Sequence, residues 1–402
     1  MPDVRVSLRG TGHEVLATAS DNDPTNVGTA AAVGAQTGYQ LAWVVVLVAP
    51  LLAVVLAIAA QVGAVAGDDL QALARRRYGT GVAALLLVSV VAVNVVTIAA
   101  DLQAGAAGLG LLAGVDYRWM VVPLGGALTG LLLAGRYNQV VSVLRFALLG
   151  FLGFGAAAFL AHPDWGQVLR GSLVPTFSRP AISGALALLG TTLTSYVYVW
   201  ETIGRDGQES VDLGRARTGA IAGSIVTAVI LWFMLVACAA TLGRHPAATV
   251  SSAQQVAAAL RPLAGTAAAD LFAAGLVVSA LVALPVLLAT TAHVVGAQFD
   301  WRRGLNQTIA NARGFYVVLT ASAGLAIGVT LAGVPVITML VAASVLGGVA
   351  TPVGLIVMVR LAQDPAVMGT RPVPRGLAVA GWVIAVGLGG LSLLFAMTQA
   401  LG

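Results

Sequence analysis

Ser20-Asp21-Asn22-Asp23-Pro24-Thr25-Asn26 puts two carboxylates, two carboxamides and a proline into the first long apolar stretch of this 402-residue chain. An aspartate near a bilayer centre costs about 2.5–3.5 kcal/mol on insertion scales. Pro24 lacks a backbone donor and interrupts a helix. Such a segment is tolerated where it packs inside protein or lines a wet cavity. The chemistry it offers is the binding of an ion or a small polar substrate, with Asp23 carrying the main charge. Asp21 either faces the same cavity or bonds backbone amides at the break. Asn22 is expected to satisfy freed backbone groups.

A second polar run, Leu189-Gly190-Thr191-Thr192-Leu193-Thr194-Ser195-Tyr196, interrupts the sixth apolar stretch with four hydroxyls and a glycine. Gly190 tolerates unusual dihedrals, and Thr and Ser can bond freed carbonyls. Thr192 is expected to bond its own helix. Tyr196 is expected to pack, with its hydroxyl toward water. Asp101 and Glu201 are two further deep carboxylates, and acids inside a membrane are functional candidates by default. They form either a proton relay or a vestibule that attracts cations. His293 is expected to bond between helices, and His13 lies at the start of the first stretch. Arg145 snorkels or pairs with an acid. Cys238 is the only cysteine, and no Cys/His cluster has metal-site spacing. Neither a nucleophile–base pair nor a His-rich motif speaks for an enzyme, and no resident cofactor is expected.

These residues must be positioned by membrane helices. The chain is 58% hydrophobic and 9% charged, against about 25% charged in a soluble domain. Helices are expected at roughly 13–36, 41–66, 81–113, 119–135, 138–161, 181–203, 216–242, 270–298, 313–333, 336–361 and 376–400, each near the length that crosses a bilayer. A surface amphipathic helix is expected over Ser252–Leu263, and 162–180 is expected to be irregular because of its three prolines. Met1 to Gly12 carries no secretory signal pattern. All 21 basic residues are arginines. Eleven alternating crossings place fifteen on one side, Arg75, Arg76, Arg77, Arg302 and Arg303 among them. Arg118, Arg170, Arg179, Arg244 and Arg261 fall on the other. The positive-inside rule then puts the N-terminus in the cytoplasm and the C-terminus outside. The basic excess serves topology rather than nucleic-acid binding. The partners expected are the bilayer and a transported solute, with no obligate protein partner.

The two interrupted stretches stand five spans apart. They occupy equivalent places in spans 1–5 and 6–10, and an odd offset inverts the second set. Paired broken helices in inverted repeats mark a secondary transporter with a midplane site. One transmembrane domain, 1–402, is expected, with repeats over about 13–161 and 181–361 and an extra helix over 376–400.

Asp23-Pro24-Thr25-Asn26, followed by Gly34-Ala35-Gln36-Thr37-Gly38-Tyr39, resembles the first helix of the Nramp family of divalent-metal transporters, where the pattern is Asp-Pro-Gly-Asn. Ala100-Asp101-Leu102 and Gly190 to Thr202 resemble its third and sixth helices. The similarity runs from about residue 10 to 370. Thr194 stands where the family has a metal-binding methionine. Ser195 and Tyr196 replace the proline and histidine that follow, and Glu201 takes a second histidine position. Asn94 and Ala104 replace two acidic positions on the third helix. The ninth helix has no buried arginine. Asp21 to Pro24, Trp301-Arg302-Arg303-Gly304-Leu305 and Gln363-Asp364 through Met368-Gly369 resemble the Nramp-related magnesium transporter branch.

The resemblance implies an all-α polytopic membrane protein of LeuT-like fold, with helices 1 and 6 unwound around the ion. It makes Asp23, Asn26, the carbonyl of Thr191, Thr194 and Ser344 the metal ligands. Asp21, Asn94, Asp101, Tyr196 and Glu201 become a possible second cation or proton path. A thioether suits softer transition metals, whereas carboxylate, carbonyl and water suit Mg²⁺, Ca²⁺ and Mn²⁺. Thr194 removes the soft ligand. Mg²⁺ keeps several waters because it dehydrates reluctantly. The expectation is therefore a Mg²⁺ (also Mn²⁺) transporter of a bacterial inner membrane, carrying a partly hydrated ion without tight proton coupling. The alternatives are a proton-coupled Mn²⁺ transporter, an Al³⁺ carrier, or an amino-acid transporter. Asp23 argues against the last, because it repels a substrate carboxylate.

Overall fold

The computed structural model describes residues 22–135, 155, 158–203, 213–241 and 253–400. Among them every regular element is an α-helix. In chain order these are α1 (Pro24–Thr37), α2 (Ala42–Ala66), α3 (Leu70–Ala113), α4 (Arg118–Leu133), α5 (Trp165–Leu173), α6 (Arg179–Thr192), α7 (Ser195–Ile203), α8 (Leu213–Thr241), α9 (Ala253–Gln298), α10 (Arg313–Leu331), α11 (Val336–Gln363), α12 (Pro365–Met368) and α13 (Arg375–Ala400). Eight spans among the described residues are long and apolar enough to cross a membrane, counting α6 and α7 as one. The first expected span is described from Asn22 onward. The fifth, with Arg145, lies almost wholly outside the described residues, as do His13 and Asp21.

Two expectations need correction and one is extended. The helix of the third span starts just after a sharp bend at Gly79, whose φ of 85° suits a residue without Cβ, and so close to the expected 81; a further helical stretch from Leu70, capped by the Asp69 side chain, precedes the bend within α3. The Gln71 side chain reaches across this bend to the carbonyl of Ala83 at 2.7 Å. The separate amphipathic helix over 252–263 is instead continuous with the eighth span in α9. Residues 162–180 are not irregular throughout, because Asp164 accepts from the amides of Gly166 and Gln167 and so caps α5.

Glycines set the closest helix contacts, as is usual where backbones must approach in a membrane. A Cβ on Gly190 would lie 2.2 Å from the carbonyl oxygen of Ser344 and 2.3 Å from the amide nitrogen of Gly348. Backbone therefore meets backbone where α6 crosses α11. Gly34 approaches the Leu235 carbonyl of α8 in the same way, and Gly63 approaches Thr202 of α7.

One end of the bundle gathers charge. Arg303 donates to Asp69 at 2.8 Å and to Asp68 at 3.2 Å, and Arg76 pairs with Asp68 at 2.8 Å. Arg77 pairs with Asp364. Arg217 donates to Gln61, which in turn donates to the carbonyls of Arg371 and Pro372. These arginines all belong to the larger set that alternation assigned to one side. Arg118 packs near Gly333 at the opposite end of α10.

Candidate ion-binding site

Asp23 is the N-cap of α1. Its backbone is extended, and Oδ1 accepts from the Asn26 amide at 2.7 Å. Pro24 at the first helical position gives up no hydrogen bond there. The carboxylate thus sits at the positive end of the α1 dipole, where negative charge is favoured. Asn22 donates to Thr227 of the neighbouring helix α8 at 3.4 Å.

The sixth span is broken where expected. Helix α6 ends at Thr192, and Leu193 and Thr194 are non-helical before α7 starts at Ser195. The last carbonyls of α6 lack intrahelical donors, and they present the negative end of a half-helix. Thr192 bonds the Leu188 carbonyl of its own helix at 2.8 Å, as expected. The hydroxyls of Thr191, Thr194 and Ser195 are all buried and have no hydrogen-bond partner among the described residues. A buried hydroxyl left unmet is costly. Three at one break describe a lining that water or an ion is needed to satisfy.

Tyr196 joins the break in the sixth span to the start of α1. Its hydroxyl donates to Oδ2 of Asp23 at 3.0 Å, and the whole ring is buried. The ring is packed as expected, and its hydroxyl meets the carboxylate. Asp23 itself is 1% exposed, enclosed by protein rather than turned to lipid.

Asp101 stands beside the same turn. Its Oδ1 accepts from both the amide (3.0 Å) and the hydroxyl (2.5 Å) of Thr25, while Oδ2 has no partner among the described residues. Asn94, seven residues earlier on α3, donates to Thr291 of α9 at 3.0 Å. Ser344 shares a 2.6 Å hydroxyl contact with Thr29 and donates to its own Leu340 carbonyl. Thr29 lies six residues beyond Asp23, about 9 Å along the helix. Glu201 is buried on α7. Among the described residues, His293 makes no hydrogen bond to another helix. Its Nδ1 meets the Ala289 carbonyl of α9 at 3.0 Å, and its ring lies edge-on to Trp200 and Phe315.

Sequence reasoning missed Thr25, Thr29, Asp68 and Asp69. Thr25 carried a usable signal, since a hydroxyl stands there where the resembled pattern has glycine. Asp68 and Asp69 line a cavity of about 580 Å³, with Ile203, His293, Trp301 and Arg303 also in its wall. It opens between the start of α3 and the α9–α10 connection.

The Nramp family model, described as natural resistance-associated macrophage protein-like, matches residues 14–398. The chain belongs to the Nramp family. A divalent metal cation transporter MntH of Mycobacterium tuberculosis (strain ATCC 25618 / H37Rv) is 26% identical over 96% of this chain and 91% of its own. A manganese transporter structure from Eremococcus coleocola superposes with a TM-score of 0.74 at 18% identity, covering 99% of this chain and 88% of that one. MhsT in complex with L-phenylalanine gives 0.62 at 14% identity, covering 96% and 98%. The Nramp chain thus has a LeuT-like fold. It is an integral membrane transporter and not an enzyme.

Proposed function

We propose that this Nramp protein transports a divalent metal cation, Mg²⁺ in preference to Mn²⁺, by alternating access and with the ion partly hydrated. One observation carries the choice of ion. The break between α6 and α7 offers oxygen alone, through the unpartnered hydroxyls of Thr191, Thr194 and Ser195, beside a carboxylate reached through Tyr196. Thr194 occupies the position of the family's methionine and supplies no sulfur. Hydroxyls hydrogen-bond water well and ligate a metal directly less well than carboxylates. A hydrated Mg²⁺, which holds its waters tightly, fits such a lining. Asp23 supplies the charge that offsets partial dehydration. Asn26, the Thr191 carbonyl and Thr194 complete the shell, directly or through water.

Ser344 enters this scheme through Thr29. The 2.6 Å hydroxyl pair holds α1 against α11, so Ser344 supports the position of the site as much as it lines it. Asp101 serves the same end from α3, anchoring the turn that contains Asp23 and Asn26. In this reading it holds the turn, and protons do not flow in step with Mg²⁺. The two repeats, residues about 13–161 and 181–361, move against each other, with α13 as an addition. The arginine-rich end, and with it the N-terminus, faces the cytoplasm of a bacterial inner membrane. No cofactor or obligate partner subunit takes part.

The deciding experiment is uptake by liposomes containing the purified protein. Mg²⁺ and Mn²⁺ are offered separately, and a pH dye is trapped inside. Mg²⁺ uptake without internal acidification is the expected result. Mn²⁺ uptake with acidification, and no Mg²⁺ uptake, favours the proton-coupled Mn²⁺ alternative.

A further inference from the structure

A groove of about 260 Å³ runs along the outer face between α3 and α11. Its wall includes Tyr78, Val82, Leu85, Val353, Ile356 and Arg360. Contacts from α3 to α11 and to the residue that caps it flank the groove. At the deep end, Ser89 donates to the Ala350 carbonyl at 3.0 Å. At the shallow end, Arg77 pairs with Asp364. From Ala350 to Arg360 is ten residues of α11, about 15 Å of rise. That is about half of a hydrocarbon core of about 30 Å, the depth of one leaflet. Leu85 is 59% exposed and Ile356 38% exposed, so the walls are open to the bilayer.

The shallow end is polar and carries net positive charge. Arg77 is matched by Asp364, but Arg360 makes no ion pair among the described residues. Tyr78 stands beside these charges, where an aromatic hydroxyl and an arginine mark a membrane interface. A single leaflet-deep apolar slot that ends in one unmatched guanidinium is complementary to one acyl chain bearing a phosphate diester.

We propose that this groove is a binding site for an anionic phospholipid, with one acyl chain between α3 and α11 and its phosphate on Arg360 and the Tyr78 hydroxyl. The lipid bridges the helix that carries Asp101 and the helix that carries Ser344, so its presence stiffens their cytoplasm-end contact. The site is separate from the ion pocket and does not depend on which ion is carried.

The test is native mass spectrometry of the full chain, with phosphatidylglycerol and phosphatidylcholine of identical chains added at equal concentration. The expected result is preferential retention of phosphatidylglycerol. Arg360→Gln should lower that retention about fivefold, the weight of one interfacial arginine. Leu85→Trp, which fills the slot, should lower retention of both lipids, whereas Arg118→Gln at the opposite end should leave both unchanged. Equal retention of the two lipids by the parent, or phosphatidylglycerol retention indifferent to Arg360→Gln, overturns the proposal. Thermal melting of each variant confirms that it is folded before the lipid is scored.

Discussion

The Tyr196 hydroxyl donates to Oδ2 of Asp23 at 3.0 Å, across 173 residues of sequence, and so ties the break in the sixth span to the cap of α1. A carboxylate oxygen has more than one acceptor site. The bond therefore orients Asp23 without filling it. Removing that hydroxyl in Tyr196→Phe should weaken ion binding about 10–100-fold, the usual effect of losing an outer partner of a metal-binding carboxylate. The loss should appear in KM for Mg²⁺ uptake, with kcat little changed. An unaltered KM assigns Tyr196 to packing alone.

Asp23→Ala should remove more than this. An outer partner is worth about 10–100-fold, and the carboxylate itself is the charge that offsets dehydration, so uptake should fall by about 100-fold or more. Uptake assays in liposomes, with circular dichroism to confirm folding, check this. Retained Mg²⁺ uptake places the ion elsewhere.

Thr194→Met restores a soft ligand at a hard site. Thioethers suit softer metals, so the variant should shift competition for uptake toward Mn²⁺ and Cd²⁺ and away from Mg²⁺. Inhibition of Mg²⁺ flux by increasing Cd²⁺ measures the shift. An identical inhibition series in parent and variant removes Thr194 from selectivity.

Asp101 distinguishes anchoring from proton carriage. Oδ1 takes both donors of Thr25, and asparagine retains such an oxygen. Asp101→Asn should therefore keep uptake close to that of the parent. Asp101→Leu strands the amide and hydroxyl of Thr25 in a buried place and should reduce uptake by at least about tenfold. Thr25→Ser should preserve the link, and Thr25→Val should weaken it. If Asp101→Asn abolishes uptake, the ionised group itself is needed.

At the arginine-rich end, the Arg77 guanidinium bonds Asp364 and holds its carboxyl below the usual aspartate range. A lowered folded pKa means that the contact's stabilisation is complete above the unfolded value of about 3.9 and is lost only as pH falls through the folded value. The melting difference between the parent and Asp364→Asn should stay small and constant from about pH 5 to 8, then shrink below about pH 4. A difference that changes between pH 6 and 8 points to another titrating group. The pair is largely exposed on the arginine side, at 48%, so its effect is screened by solvent and salt.

Much of this molecule was legible in one dimension. Composition alone demands a membrane, because stretches such as Ala42–Ala66 have no other stable place. Pro24 with Asp23, and Gly190 with its neighbouring hydroxyls, announced where two helices could not continue, since backbone geometry and desolvation are local properties. Arg76, Arg77, Arg217 and Arg303, which alternating crossings assigned to one side, meet partners at one end of the bundle. The bend at Gly79 and the joining of 253–269 to the eighth span were not legible, because helix continuity there depends on neighbours such as Gln71 reaching Ala83.

Residue types and their order along the chain determined that acidic and hydroxyl-bearing residues stand at the start of α1 and at the interruption of the sixth span. They did not determine who bonds whom within it. Thr25 with Asp101, Tyr196 with Asp23, and Thr29 with Ser344 are contacts over 76 to 315 positions. Each is selected by how close glycines allow the helices to come and which face each presents. A buried donor must find an acceptor, but only packing decides which one lies within 3 Å.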